Sequence, residues 1–176
     1  MALRNVIKEG DPVLRKTSRE VGEVTDRIKE ILEDMVETMR EHRGVGLAGP
    51  QIGIRRRLFV AEPNPEAEPP LVYYMIDPEI YEMEGEEEDD EGCLSVPDLI
   101  GTVVRPERIK MRAKDLDGNT VEYEFEGFEA RIMCHEYDHL NGVLYIDKAT
   151  NLRLPSDDED EENEEETSEE KSEAQE

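Results

Sequence analysis

The stretch "RIMCHEYDHLNG" (131–142) constrains the chain more than any other. His135 and His139 stand four positions apart with Glu136 between them. On a helix that spacing sets two imidazoles one turn apart on one face, close enough to hold a single ion at about 2.0 to 2.1 Å. Glu136, rotated by about 100° from His135, then flanks the ion without joining both rings. The wider segment "FEARIMCHEYDHL" has helical spacing, and Asn141-Gly142 supplies its stop.

Two imidazoles beside a carboxylate suit hydrolysis by metal-activated water, with the carboxylate as general base. A catalytic site of this kind takes three protein ligands and leaves one position open. Cys134 points about 100° away from His135 around the helix and is expected to be a small buried apolar residue beside Ile132 and Met133. His42, the only other histidine, reads as a solvent-facing residue at a helix end. Asp147 or a tail carboxylate would complete a thermolysin-like endopeptidase. A closed Cys₂His₂ site that includes Cys134 would make a non-catalytic metal module. Cys93, in "EGCLSVP" (91–97), is the further candidate: a thiolate is a soft, strong ligand, and Gly92 beside it permits a close approach.

The rest of the chain places that helix in an α+β layout. Asp11 and Pro12 suggest an N-cap and first position for a short helical turn. From Thr25, Ile28, Ile31, Leu32, Met35, Val36 and Met39 form an apolar stripe at helical spacing. This predicts an amphipathic helix of about four turns at roughly 3.6 residues each, with Gly44 as its C-cap. The period then changes. "RLFVAE", "LVYYMIDPEI", "GTVVRP", "RIKMRAKD" and "TVEYEFEG" read as strands, the last two joined by a hairpin at Asp117-Gly118. The order helix, strands, helix predicts a second helix packed on antiparallel strands.

Charge restricts the partners. The chain of 176 residues carries 47 acidic and 21 basic residues, a formal charge of −26. A polyanion is not expected to bind nucleic acid by counterion release. Residues 155–176 hold 13 acids against one lysine and are expected to be a disordered tail with a solubilising role, leaving residues 1–154 as one catalytic domain. The acidic run "EEEDDE" (86–91) reads as a solvated loop. No basic-then-apolar leader opens the chain, and no apolar run reaches about 18 residues, so a soluble cytoplasmic protein is expected. Two cysteines fit a reducing compartment.

"GVGLAGPQIG" (44–53), "EGCLSVP" (91–97) and "HEYDHLNG" (135–142), in that order and spacing, resemble the three signature motifs of the bacterial peptide deformylases. The resemblance runs from about Leu3 to Asp147. It implies an α+β fold with antiparallel β-sheets packed around a central helix that carries the histidines. It further implies that Cys93, His135 and His139 bind one divalent ion per chain, Fe²⁺ in the native form, with Zn²⁺, Ni²⁺ or Co²⁺ as substitutes. Glu136 would be general base and acid. The Gln51 side chain and the Leu94 N–H would donate to the developing oxyanion, and Gly46, with Val45, would bind the main chain of an N-formyl-methionyl nascent peptide. A monomer in transient proximity to the ribosome is implied as well. The chain departs from the family pattern at Cys134, where glutamine commonly precedes the histidine motif, and at Gly49, where alanine is usual. Asp138 is expected to pair with Arg105 and fix the helix.

Overall fold

A computed structural model of the chain describes residues 2–156. Asp11 accepts a hydrogen bond from the Val13 N–H and opens a single 3₁₀ turn at Pro12–Arg15. The long helix α1 spans Asp26–Glu41 and is capped by Thr25, whose hydroxyl accepts from the Ile28 N–H. Its apolar stripe buries Ile31, Leu32, Met35, Val36 and Met39. Its end differs from the expected glycine cap: Arg43 takes the left-handed conformation (φ 55°), and the Gly44 N–H closes onto Met39 O at 2.9 Å. Gly44 is needed one step later, where a Cβ would lie 2.9 Å from Leu94 Cδ1. Its lack of a side chain lets this loop approach the turn that carries Leu94.

After α1 come β1 (Gly46–Ala48), β2 (Leu58–Ala61), β3 (Tyr73–Glu84), β4 (Glu87–Cys93), β5 (Val96–Arg105), β6 (Arg108–Lys114) and β7 (Thr120–Glu126), then α2 (Gly127–Leu140) and β8 (Thr150–Arg153). Two antiparallel sheets result, one ordered β1-β2-β3-β6-β7 and the other β4-β5-β8. The hairpin between β6 and β7 turns at Asp117-Gly118, with Gly118 at φ 80° and Asp115 accepting from the N–H groups of Asp117 and Asn119.

Alternation along β1 to β3 separates two cores. Leu47, Leu58, Val60 and Ile76 face α1, while Ala48, Phe59, Ala61 and Met75 face α2. On its other side α2 contacts β5 of the three-stranded sheet, and His135 stacks on Tyr145, which packs with Val96, Val103 and Leu144 in a third cluster. A helix enclosed between two sheets is buried on several faces, and Ala130 through Glu136 are all buried. Each fully buried apolar side chain in these layers contributes about 1.5–3 kcal/mol, so the position of α2 is fixed by packing rather than by helix propensity. The sequence-based layout of antiparallel sheets around the histidine helix agrees with this architecture.

Candidate metal centre and substrate cleft

Helix α2 presents His135 and His139 on one face, with ring centroids 5.1 Å apart. Cys93 comes from the end of β4, just before the Leu94-Ser95 turn into β5. Ligand atoms of Cys93, His135 and His139 lie within 4.8 Å of one another, and Cys93 Sγ is 3.5 Å from His139 Nε2. Cys134 is not in this cluster. It is buried against the apolar core, which pushes its thiol up to about 11. His42 is exposed at the end of α1. Asp147 is committed elsewhere, accepting from Arg15 and from the Leu144 N–H. The structure therefore supplies neither a carboxylate third ligand from Asp147 nor a closed cluster with Cys134.

Glu136 is buried beside this Cys93–His135–His139 cluster, and its Oε2 has no hydrogen-bond partner among the described residues. Burial raises its pKa to about 7, although the neighbouring His135 acts in the opposite direction. Gly46 passes so close to Glu136 Oε1 that a Cβ there would collide with the carboxylate. The glycine motif thus makes room for Glu136. Gly46 also starts β1, which pairs with β2 on one side only and so ends its sheet with a free edge.

Gln51 is buried in the 3₁₀ turn after β1. Its Oε1 accepts from the Ala48 N–H at 2.9 Å, which aims the amide nitrogen toward Ser95 Oγ (3.1 Å) and Cys93 Sγ (3.5 Å). Two main-chain bonds from the N-terminal segment brace these parts: Ile7 N–H to Gln51 O and Glu9 N–H to Ser95 O, both 2.7 Å. Lys8 Nζ donates to Leu94 O at 3.0 Å. Val45, Gly46, Gln51, Cys93, Leu94, His135 and Glu136 all line one cleft of about 570 Å³. Leu99, Phe128 and Ile132 supply apolar wall. That volume suits a short peptide end.

The acidic run before Cys93 is strand β4 rather than the expected loop, and its last acid is the main residue that sequence reasoning missed. Glu91 is buried and accepts from Arg105 Nε and Nη2 (both 2.9 Å), from Arg131 Nη1 (2.8 Å) and from His135 Nδ1 (2.8 Å). Burial alone would raise its pKa, but the Arg105 and His135 contacts prevail and hold it well below the carboxylate range. Ionised Glu91 is an acceptor only, so His135 carries its proton on Nδ1 and turns Nε2 toward the ligand cluster. Burial also lowers the His139 pKa well below the ordinary value, keeping that ring neutral and able to donate a lone pair. Arg105 continues the chain of ion pairs to Asp138 at 2.6 Å, the pair expected from the sequence, and Lys148 meets Asp138 from outside. No local signal in the sequence marks Glu91: the run lacks a strand pattern, and the β4–β5 register shifts between Glu91 and Cys93.

The polypeptide deformylase family profile matches residues 3–154. Over 150 residues the chain is 53% identical to the peptide deformylase of Agathobacter rectalis, covering 84% of this chain and 90% of that one. It is 48% identical over 150 residues to that of Clostridium botulinum, covering 85% and 99%. Among solved structures, the peptide deformylase of Thermotoga maritima superposes with a TM-score of 0.81 at 40% identity, covering 85% of this chain and 99% of that one.

Proposed function

The chain belongs to the polypeptide deformylase family and is a hydrolase that removes the formyl group from the N-terminus of newly made proteins; we propose that it does so with a divalent ion held by Cys93, His135 and His139 beside Glu136. The observation that carries this reading is the convergence of two imidazoles and one thiol within 4.8 Å, next to a buried carboxylate oxygen that has no hydrogen-bond partner among the described residues. The donor set fits Fe²⁺, with Zn²⁺, Ni²⁺ or Co²⁺ as substitutes, one ion per chain. Such an ion supplies Lewis acidity and lowers the pKa of water toward about 7.

The protein's own groups account for the remaining steps. An N-formyl-methionyl peptide pairs with the free edge of β1, using the main chain of Val45 and Gly46 as an added strand would. Its first side chain enters the apolar wall at Leu99, Phe128 and Ile132. The formyl oxygen faces the Gln51 amide and the Leu94 N–H, whose dipoles stabilise the charge that develops there. Glu136, poised near neutrality, takes the proton of the attacking water and delivers it to the leaving amine. The C–N bond breaks, and formate and a free N-terminal methionine leave. The catalytic unit is residues 1–154, acting as a cytoplasmic monomer close to the ribosome.

The test is formate release from a formyl-Met-Ala-Ser peptide under anaerobic conditions, with metal analysis of the same sample. Expected are one ion per chain and turnover that falls about 10²- to 10⁴-fold in Glu136→Ala with the metal retained. Cys93→Ser should lose metal or activity. An Fe²⁺-loaded enzyme that releases no formate would overturn the reading.

A further inference from the structure

Two segments outside the cleft carry a dense set of cations: Arg15, Lys16 and Arg19 on one, Arg55, Arg56 and Arg57 on the other. They lie side by side. Arg19 and Arg56 form an isolated parallel bridge, the Arg19 N–H donates to Arg55 O at 3.1 Å, and the Arg57 N–H donates to Arg19 O at 2.8 Å. Lys16, Arg19 and Arg56 are exposed, and Arg55 and Arg57 half-buried.

In a chain this acidic, cations usually find a carboxylate. The bases of β6, Arg108, Lys110, Arg112 and Lys114, all do, as do Arg4, Arg40 and Arg153. Arg15 pairs with Asp147. Lys16, Arg19, Arg55, Arg56 and Arg57 meet no carboxylate in an ion pair among the described residues. The structural use of their side chains is modest. Arg55 donates to Thr17 O (3.3 Å), Arg56 to Glu20 O (3.2 Å) and Arg57 to Leu140 O and Asn141 Oδ1 (both 3.1 Å). Arg55 Nε is buried and Arg57 lies over the Tyr137 ring at 5.6 Å, but each guanidinium carries five N–H donors in a planar fork, so donors remain on each.

We propose that this face binds the phosphodiester backbone of a folded RNA. A guanidinium fork matches phosphate oxygens in pairs, and several forks on one ledge match a run of phosphates. None of the large exposed apolar residues of the chain lies in either segment, which disfavours a lipid surface. The net charge of −26 argued against nucleic acid, but at physiological salt a charge is screened beyond about 8 Å, so the local ledge decides the contact. Its place in the fold fits the activity. The segment of Ser18 is tied to Leu140 O at the C-terminal end of α2, whereas Phe128 and Arg131, near the N-terminal end, line the cleft. An RNA on this face leaves the cleft open to a peptide. The link to newly made chains rests on the reading in the preceding subsection; the binding itself does not.

The full chain, metal-loaded, is titrated into a fluorescein-labelled RNA stem-loop and followed by anisotropy at 50 and 200 mM KCl. Binding should weaken roughly a hundredfold between the two, the loss given by about four neutralised phosphates. Lys16→Glu/Arg19→Glu changes two exposed side chains that make no hydrogen bond or ion pair among the described residues. It should weaken binding at least tenfold at 50 mM KCl while formate release from the short formyl peptide stays unchanged. Arg56→Glu should act in the same direction. No binding at 50 mM KCl, equal binding by these variants, or stronger binding to phosphatidylserine vesicles than to the stem-loop would overturn the proposal. Loss of formate release in the unaltered chain would instead count against the catalytic reading.

Discussion

Glu91 Oε1 lies 2.8 Å from Nδ1 of His135 while Arg105 and Arg131 hold the same carboxylate from the other side. One buried anion thus orients a ring at the ligand cluster and neutralises two buried cations. Removing it, in Glu91→Ala, frees the His135 ring and leaves Arg105 and Arg131 undercompensated. Metal affinity should fall about 10- to 100-fold. The metal-free protein should lose about 3–5 kcal/mol, the usual result of breaking a buried pair from one side. Chelator competition and denaturant unfolding measure the two effects, and wild-type values in both would refute the role given to Glu91.

Gly46→Ala places a methyl group against the Glu136 carboxylate. The three proposed ligands are untouched, so the metal should remain while turnover drops at least tenfold, because the proposed general base is pushed from its position. Metal analysis and formate release on one preparation check this. Retained turnover would mean that the strand shifts freely.

Asp34 anchors the start of the chain to α1, accepting from the Ala2 N–H (2.7 Å) and from Arg4 Nε and Nη2 (3.0 and 2.7 Å). Burial raises its pKa, but these bonds and the Arg4 charge outweigh it and hold the carboxyl below its ordinary value. A lowered folded value means that the stabilisation is complete above the unfolded value of about 3.9 and is lost as pH falls through the folded one. Asp34→Asn should therefore melt lower than wild type at pH 6, with the gap narrowing toward pH 3. A gap that stays constant over this range would contradict the assignment.

Burial pushes the Cys134 thiol up to about 11. At pH 8 roughly one molecule in a thousand would carry its thiolate, the reactive form. Iodoacetamide on the native metal-free protein should modify Cys93 and spare Cys134 until denaturant is added. Mass spectrometry of tryptic peptides distinguishes the two, and prompt labelling of Cys134 would show that its burial is overstated.

The elements legible from sequence were those with a local signature. The stripe from Ile28 to Met39, the Asp117-Gly118 hairpin and the histidine helix depend on neighbours within one or two turns. Strand β4 was not legible, because "EEEDDE" has neither apolar alternation nor β-branched residues. It is a strand because β5 pairs with it, from Glu87 opposite Arg105 to Cys93 opposite Val96. Glu91 is buried because Arg105 and Arg131 wait for it from distant parts of the chain. The basic ledge was invisible for a related reason: net charge averages over the chain, while Arg19 and Arg56 become neighbours only in the fold.

Residues 7 and 9 brace Gln51 and Ser95, and the proposed ligands stand at 93, 135 and 139. The centre is thus assembled from the beginning, middle and end of the domain, and its contacts are among the most non-local in the molecule. Contacts of that kind close last and slowly. A chain truncated before α2 lacks both His135 and His139, and so has no cluster in which to lodge an ion. Acquisition of the metal is consequently a report that the whole domain is finished.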